Sequence, residues 1–488
     1  MKPSIATDAV KLTTSKIIIL TISFLNAMLL SRFLTLEEYG TYSQIFLVIN
    51  LLVTVFMLGL PNSINFFLAK AERDEEKQKF LSVYYSLSTI LSLITGLALV
   101  LITPIIVNYF DNEHIKKFIY VLAFYPWSRI IQSSIENILV IYQKTTYLMT
   151  FTTLHGIFQL SIIVIVIVFN ESFSMYMLLF VIMEAIFTFS VYLIVKNLVG
   201  NVAINFDKQL IKRIFKFSLP IGLASVIGTV NIEFGKLLIG RFFNTEELAI
   251  YTNATKEMPV TIIATSLTAV LMPQLVRLLN MSKNEKAITL WGDATILSYL
   301  FICFFAAGLF TFAPEVISLL YSDKYLPGVT VFRICTIVLL LRCTYFGMIL
   351  NCIGKTSFIF YSSLLSLVLN GILSIVCFFI FGFIGPAVST VLSIAMIQIL
   401  QLVATSKSIK ISFKKVFPWR TVGIITILNF FLAIAFSLIK EYVSLENSLG
   451  EIFESIILGL LWGTFYFTIM AKYIKQKWIV LNEVKVSS

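Results

Sequence analysis

Five polar residues follow one another at helical spacing inside an apolar stretch between residues 118 and 142. They are Arg129, Gln132, Ser133, Glu136 and Asn137, at positions i, i+3, i+4, i+7 and i+8. This spacing places all five on one face of an α-helix. A guanidinium, a carboxylate and two amides on one face bind polar groups through charge and hydrogen bonds. We expect this face to line water. A bridge from Arg129 to Glu136 that only packs the helix is the alternative.

Charged side chains inside the apolar segments include a set of nine that we weigh as cavity candidates: Arg129, Glu136, Glu184, Glu233, Lys236, Lys256, Glu257, Arg333 and Arg342. Each costs about 2.5 to 3.5 kcal/mol at the centre of a membrane helix, so most of them must pair, reach the membrane surface or face a wet cavity. Arg129 and Arg342 lie near the middle of their segments, too deep to reach the membrane surface. These two arginines are the strongest candidates for residues that line a cavity.

Polar faces also recur nearer the ends of apolar segments. Glu233 and Lys236 share a face in the segment 214–240, and Asn253, Lys256 and Glu257 share one ahead of Pro259. Glu233, Lys236, Asn253 and Lys256 complete the candidate binding set, which also contains Arg129, Gln132, Glu136, Asn137 and Arg342. Lys236 and Lys256 are, however, close enough to a segment end to extend to the membrane surface instead. Small residues on the first of these faces would equally serve close helix packing.

Three remaining polar residues receive weaker assignments. Arg333 precedes Arg342 by nine residues, which is about 180° around a helix, so the two cannot face the same cavity. Glu184 stands alone at mid-depth, where a protonated packing role is favoured over an ion-coupling carboxylate. His155 is interpreted as a hydrogen-bonded packing residue rather than a proton relay.

The elements that carry these residues follow from composition. Of 488 residues 58% are hydrophobic and 13% are charged, about half the charged share of soluble domains. Long apolar runs predict an all-α polytopic membrane protein with about fourteen transmembrane helices. The predicted spans, numbered 1 to 14, are 16–34, 43–69, 80–107, 118–142, 147–169, 173–195, 214–240, 250–276, 291–320, 328–353, 357–381, 383–405, 421–439 and 452–471.

The distribution of basic residues predicts the orientation in the membrane. If the N-terminus is cytoplasmic, 26 of the 37 Lys and Arg residues lie in cytoplasmic segments and six lie outside. Such a bias marks the cytoplasmic side, so we expect both termini there. The net charge of +11 is thereby explained without a nucleic-acid partner. The first span lacks a cleavage site and is expected to be retained.

An internal repeat organises the chain. Residues 31–42 align without gaps with residues 240–251, and Arg, Phe, Glu, Glu and Tyr recur in register. The copies close spans 1 and 7, so an even number of helices separates them, which predicts two parallel six-helix repeats. We expect an N-terminal bundle over 1–200 and a second bundle over 201–410 that begins with a basic amphipathic linker. Residues 411–488 then hold spans 13 and 14 as an appended pair with a basic cytoplasmic tail.

Several short segments resemble polysaccharide flippases of the multidrug/oligosaccharidyl-lipid/polysaccharide exporter superfamily, most closely the O-antigen and capsule repeat-unit (Wzx-type) transporters. The segments are Gly40-Thr41-Tyr42, Leu58-Gly59-Leu60-Pro61, Ser218-Leu219-Pro220, Leu237-Leu238-Ile239-Gly240, Tyr251-Thr252-Asn253-Ala254 and Met272-Pro273. The resemblance runs through about residues 10 to 405. The second copy of the repeat departs from the Gly-x-Tyr pattern by having Ala249 in place of the glycine.

This resemblance implies a transporter that moves an undecaprenyl-pyrophosphate-linked oligosaccharide to the outer leaflet of a bacterial inner membrane by alternating access. The sugar head would pass through a central cavity between the halves, for O-antigen, lipopolysaccharide or capsule synthesis. Arginine would suit the phosphates, because its planar fork donates paired hydrogen bonds, and Lys, Asn, Gln and Ser would hold the sugar. The partners implied are the lipid-linked oligosaccharide, the bilayer and a polysaccharide polymerase, and either proton or sodium as the coupling ion.

Two other functions compete with this one. An ion-coupled small-molecule or drug antiporter on the same fold would usually have twelve helices and a site centred on a carboxylate. A membrane enzyme would need a large outer catalytic loop, whereas the predicted outer loops have only about ten residues. Neither disulfide nor zinc spacing occurs among the five cysteines. We therefore expect no enzyme activity, no metal and no cofactor.

Overall fold

The computed structural model describes residues 5–443 and 451–486, and this part of the chain is helical with no strand. Eleven helical stretches are long and apolar enough to cross a membrane. The all-α polytopic class is thereby confirmed. The number fourteen is not reached by this criterion and stays a prediction. Three features account for the lower number. The stretch Thr356–Ile409 contains two helices but is counted once. The apolar segment Ile18–Phe33 is shorter than the criterion requires, and span 4 is divided into short helices.

The helices fall into two compact units, the first ending at Ile250 and the second beginning at Tyr251. The helices up to this boundary are α1 (Ile5–Phe33), α2 (Leu36–Met57), α3 (Leu60–Lys70), α4 (Asp74–Leu101), α5 (Thr103–Phe110), α6 (His114–Leu122), α7 (Tyr125–Gln132), α8 (Ile135–Ile141), α9 (Thr145–Val168), α10 (Phe173–Val199), α11 (Lys208–Phe242) and α12 (Thr245–Ala254), which crosses it.

The second unit continues with α13 (Ile262–Asn280), α14 (Asn284–Thr311), α15 (Ala313–Tyr321), α16 (Val329–Leu341), α17 (Met348–Cys352), α18 (Thr356–Phe381), α19 (Gly385–Ile409), α20 (Phe413–Val416), α21 (Trp419–Val443) and α22 (Glu451–Val486). Three short 3₁₀ segments join them: Pro259–Thr261, Asp323–Gly328 and Gly382–Ile384.

The repeated sequence motif builds the same helix start twice. Thr35 is the N-cap of α2, where it accepts a hydrogen bond from the amide of Glu38 while the Glu38 carboxylate accepts one from the Thr35 amide. Asn244 and Glu247 make the same reciprocal pair ahead of α12, at 2.7 and 3.3 Å. Each pair is a capping box, which satisfies two amides that a helix start leaves unpaired. The recurring glutamate is therefore a helix-start signal.

Gly40 has no glycine counterpart in the second copy of the motif, because only the first copy needs a glycine at this position. A Cβ on Gly40 would lie 2.0 Å from the carbonyl oxygen of Thr245, so α2 meets the start of α12 backbone to backbone. Gln44, one turn further along α2, donates a hydrogen bond to the Thr245 hydroxyl at 3.3 Å. Ala249, the counterpart of Gly40, is fully buried with its Cβ in place.

Span 2 is interrupted by two residues in the left-handed region, Leu58 at φ 50° and Gly59 at φ 69°. A Cβ on Gly59 would lie 2.5 Å from the carbonyl oxygen of Ser218, and one on Gly222 would lie 2.4 Å from the Leu58 carbonyl carbon. The interruption thus lies directly against α11. The small residues of this α11 face serve close packing, one of the two roles expected for them.

The linker between the predicted repeats is fixed to the start of α4. Asp207 caps α11 by accepting bonds from the amides of Gln209 and Leu210, and it pairs with Lys79 at 2.6 Å. The bond from Lys79 and these amides hold the pKa of Asp207 below its ordinary value. The basic stretch after Asp207 is the first part of α11, which runs on through Pro220.

In the second unit α14 is the central helix, with a nearly continuous buried stretch from Leu290 to Leu300. The predicted C-terminal pair, α21 and α22, packs against it. Trp462 and Tyr466 of α22 are fully buried, and the Tyr466 hydroxyl donates to the Leu300 carbonyl at 2.9 Å. Lys440 of α21 pairs with Glu315, and Lys477 of α22 pairs with Asp293 at 2.5 Å. The pair therefore belongs to this unit.

Candidate functional site

The polar stripe of span 4, formed by Arg129, Gln132, Ser133, Glu136 and Asn137, lies on a helix that is broken twice. Span 4 was expected to be one helix, but α6, α7 and α8 follow one another with short turns between them. Pro126 lacks an amide hydrogen and its ring crowds the carbonyl four residues back, which accounts for the first break. Ser133 and Ser134 donate to the carbonyls of Ile130 and Ile131 at 2.6 and 2.7 Å. These bonds compete with the helix ladder at the second break.

The five residues of the stripe do not all point to one place. Arg129 and Glu136 have exposed side chains, whereas Gln132, Ser133 and Asn137 are partly buried. Asn137 donates to the carbonyl of Pro61 at 3.1 Å and accepts from Asn65 at 3.2 Å, so it is held by α3. Arg129 and Glu136 are accordingly the members of the stripe that a ligand can reach.

Gln132 leads to a buried network that the sequence did not predict. Its amide nitrogen donates to Glu184 Oε2 at 2.8 Å and lies 3.2 Å from the Thr188 hydroxyl. Glu184 Oε1 in turn lies 3.0 Å from His155 Nε2 and accepts from Gln159 at 3.2 Å. The interpretation of Glu184 as a residue standing alone is therefore wrong. His155 is hydrogen-bonded, as expected.

This network joins four helices of the first unit. Gln132 lies on α7, His155 and Gln159 on α9, and Glu184 on α10. Asn26 of α1 extends the network by donating to Gln159 at 3.2 Å. Only 2% of Glu184 is exposed, and buried charges occur in proteins where partners satisfy them. Gln132 is itself a member of the stripe, so the network borders the face on which Arg129 lies.

The candidate residues of α11 form an ion pair of their own. Lys236 donates to Glu233 at 2.8 Å, and both side chains are partly buried. One turn beyond, Arg241 donates to the carbonyls of Asn108 and Tyr109, each at 3.0 Å. Lys236 therefore has an anionic partner within its own helix, which lowers the cost of placing it in an apolar segment.

In the second unit two helix interruptions meet at an ion pair. Span 8 was expected to be continuous, yet α12 ends at Ala254 and α13 begins only at Ile262. Span 10 likewise divides into α16, which ends at Leu341, and α17, which begins at Met348. Pro259 accounts for part of the first break. The second break contains no proline, and nothing in its sequence predicted it.

Arg342 and Glu257 stand at these two interruptions with their side chains 2.6 Å apart. Both are partly accessible, at 34% and 53% of their side-chain surface. Asn253 is buried, whereas Lys256, like Arg342, is partly buried. Glu257, Arg342 and Lys256 are therefore the members of this group with accessible surface. An arginine with a partly exposed carboxylate partner keeps donors available for an anionic ligand.

Arg333 lies elsewhere, as the helical spacing requires. Its Nε donates to the carbonyl of Phe310 at 3.1 Å, and its guanidinium lies 5.6 Å from the centre of the Phe310 ring. Arg342 instead faces Glu257. The two arginines thus have separate partners, Phe310 and Glu257.

Comparison with known proteins was made on the sequence and on the fold. Residues 29–330 match the family of polysaccharide biosynthesis proteins. The chain belongs to this family. A comparison with curated proteins found no match.

Solved structures give the fold of this family member. The lipid II flippase MurJ in an inward closed conformation superposes with a TM-score of 0.72 at 16% identity, covering 95% of this chain and 99% of that one. An inward-facing multidrug resistance MATE family transporter of the MOP superfamily gives 0.65 at 17%, covering 83% and 98%. A Vibrio cholerae MATE transporter gives 0.57 at 13%, covering 83% and 98%. The chain therefore has the fold of MOP superfamily transporters, and the resemblance stated from the sequence is confirmed.

On the predicted division into repeats, Arg129 and Arg342 fall on corresponding spans. Arg129 lies on span 4 and Arg342 on span 10, which are the fourth helices of the two predicted six-helix repeats. Both spans are interrupted close to the arginine. The proteins that share this fold are transporters and a flippase, in keeping with the expectation of a transporter rather than an enzyme.

Proposed function

We propose that this polysaccharide biosynthesis family member is a flippase for an undecaprenyl-pyrophosphate-linked oligosaccharide, moved from the cytoplasmic to the outer leaflet by alternating access. The observation that carries the proposal is the pair of accessible arginines, Arg129 and Arg342, each beside an interruption in a membrane helix. A pyrophosphate is a double anion with oxygen acceptors at the spacing that guanidinium donors match. Permanent cations at membrane depth suit such a headgroup.

Weak binding is as important for this activity as recognition. Glu257 beside Arg342 offsets part of the positive charge. A headgroup held by a few cations whose charge is partly balanced by carboxylates is released on the far side of the membrane, whereas a dense positive cluster would retain it. Glu136 and the pair Glu233 and Lys236 supply further groups for sugar hydroxyls, and Gln132, Asn137, Asn253 and Lys256 complete the proposed binding set behind them.

The extent of the structural match favours a flippase over a drug antiporter. The MurJ structure covers 95% of this chain, whereas the multidrug transporter structures cover 83% or 84% and therefore leave about a sixth of it unmatched. An ion-coupled antiporter is the second candidate because Glu184 is a buried carboxylate, the kind of group on which such antiporters depend. A coupled flippase uses the same group.

The cellular setting belongs to the same proposal. We place the protein in a bacterial inner membrane with both termini cytoplasmic, on the strength of its positively charged segments. Its product would be a repeat unit for O-antigen, lipopolysaccharide or capsule, handed to a polysaccharide polymerase on the outer side. Either a proton or a sodium gradient would supply the energy.

A deletion strain tests the function. Without a second transporter, the strain should accumulate lipid-linked repeat units on the cytoplasmic leaflet and lose surface polysaccharide. Normal surface polysaccharide would contradict the proposal. Complementation then tests the site: Arg129→Ala and Arg342→Ala should fail at normal protein levels, whereas Arg333→Ala, which removes an arginine bound to Phe310, should restore most of the polysaccharide. Full complementation by both Arg129→Ala and Arg342→Ala would refute the site assignment.

A further inference from the structure

We propose that an exposed surface of α3 in the first unit binds the sugar rings of the cargo. This α3 surface consists of Asn65 and Phe66, supported by Asn137 of α8 and Phe217 of α11. Of these four residues only Asn137 belongs to the candidate set predicted from the sequence. The inference rests on the proposed function and deepens it, because the arginines were assigned to the pyrophosphate and the saccharide had no site of its own.

The exposed face of α3 is polar and aromatic, unlike a face that meets lipid. The buried residues of α3 are Leu60, Ser63, Ile64 and Leu68. Its exposed residues recur at helical spacing: Asn62, Asn65, Phe66, Ala69 and Lys70. On α4 the exposed row is wholly apolar, as expected against hydrocarbon: Ile90, Leu93, Ile94, Leu97 and Leu101. Amide and ammonium groups are costly in hydrocarbon, so the exposed face of α3 borders water.

The ring of Phe66 is a platform whose orientation is fixed from behind. It stacks on Phe217 with ring centres 4.7 Å apart and 22° between the planes. Phe67 meets both rings nearly at right angles, with its centre 5.1 Å from that of Phe66 and 5.9 Å from that of Phe217. Phe66 nevertheless keeps 46% of its surface exposed. An exposed aromatic ring beside a few polar groups is typical of a site that binds a small ligand.

A sugar ring fits this platform because the two surfaces are electrically complementary. The face of a phenyl ring carries negative partial charge, whereas the C–H bonds on one side of a pyranose present positive hydrogens. Asn65 donates to Asn137 Oδ1 at 3.2 Å, and Asn137 donates to the carbonyl of Pro61 at 3.1 Å. The exposed Asn65 side chain is thereby held in place. Its second amide hydrogen and its Oδ1 supply a donor and an acceptor for a sugar hydroxyl.

The position of the α3 surface suits the loading of cargo. On the predicted topology α3 forms the cytoplasmic end of span 2, while α8 and the first half of α11 lie at the cytoplasmic ends of spans 4 and 7. A lipid-linked saccharide is on this side before it is translocated. Arg129 lies eight residues deeper in span 4 than Asn137. The sugar would therefore meet the α3 surface before the pyrophosphate reaches Arg129.

Binding of two probes to the full chain in lipid nanodiscs tests the α3 surface. The probes are the lipid-linked repeat unit extracted from the bacterium and undecaprenyl pyrophosphate without sugar. Phe66→Leu, which keeps an apolar side chain but removes the ring, should weaken binding of the first probe about three- to tenfold, as expected for one aromatic contact. It should leave binding of the second unchanged.

Two further variants control for structural effects. Phe66→Tyr retains the ring and should bind both probes as the wild type does. Leu97→Ala, on the apolar row of α4, should change the binding of neither. Equal weakening of both probes by Phe66→Leu, or no weakening of either, would overturn the α3 surface.

Saturation-transfer NMR separates this failure from failure of the proposed function. The probe is the free saccharide released from the lipid-linked repeat unit by mild acid. The wild type should transfer magnetisation to the protons of the sugar ring, and Phe66→Leu and Asn65→Ala should reduce the transfer. Absence of transfer to the wild-type ligand would overturn the α3 surface, even where proteoliposomes translocate the lipid-linked form. If transfer behaves as stated but wild-type proteoliposomes translocate no such lipid, the flippase proposal fails and the α3 surface stands.

Discussion

Replacing Gly40 by alanine tests the contact on which the fit of α2 against α12 depends. The added Cβ would lie 2.0 Å from the Thr245 carbonyl oxygen, about 1.4 Å short of ordinary contact at 3.4 Å. The oxygen belongs to the backbone, so it cannot rotate away and the helices must separate. Overpacking of this kind costs about 1 to 3 kcal/mol, against a gain of about 1 kcal/mol in helix propensity. Because the clash is severe, we expect a net loss of about 2 kcal/mol.

The assay is thermal unfolding of the purified protein, followed by the fraction that remains monodisperse after heating. At about 2 to 4 °C per kcal/mol for a unit of this size, Gly40→Ala should melt about 4 to 8 °C below the wild type. Gly228→Ala in α11 is the matched control, since its Cβ would meet nothing within 4 Å, and it should melt at or above the wild-type temperature. Equal melting temperatures for the two variants would refute the reasoning.

Three further predictions follow from the described contacts. Thr35→Ala and Asn244→Ala should each destabilise the protein by about 1 kcal/mol through loss of a capping box, and unequal melting temperatures would contradict the equivalence of the two helix starts. Glu257→Gln should change stability by less than about 1 kcal/mol, because its pair with Arg342 is partly exposed; a large loss in the same melting assay would mean that the pair is structural. In whole cells, Glu113→Cys should react with an impermeant maleimide and Glu75→Cys should not, and the reverse pattern would invert the predicted topology.

The all-α membrane class could be predicted from the sequence because the length of an apolar run is a strong indication of a membrane helix. In bilayer lipid every backbone group must be bonded within its own helix, so long apolar runs have few alternatives to helices. The repeat was visible for a related reason. Thr35 with Glu38, and Asn244 with Glu247, are capping pairs whose spacing is fixed by one helical turn.

The interruptions were only partly predictable. Proline marks the breaks near Pro126 and Pro259, but the break after Leu341 has no proline, and the one at Leu58 depends on a non-glycine residue in the left-handed region. Such breaks are set by contacts with other helices. The left-handed pair Leu58 and Gly59, for example, lies against Gly222 of a helix more than a hundred residues away.

The Glu184 network was missed because its members lie on four helices. Each helix contributes one or two polar residues, which in isolation look like ordinary packing. A signal was present in the spacing: His155 and Gln159 are four residues apart on α9, and Glu184 and Thr188 are four residues apart on α10, so each pair presents one polar face. Nothing in the sequence indicated that those faces meet.

The close crossing of the backbone at Gly59 and Gly222 limits which residues of this protein can be replaced. Main-chain atoms meet there, so the contact depends on the absence of side chains and is indifferent to the chemistry of any cargo. Arg129 and Glu136, by contrast, project from a face where other residue types would leave that crossing intact. Under the proposed function, homologous chains that move different sugars would be free to diversify along this face while both glycines stay the same.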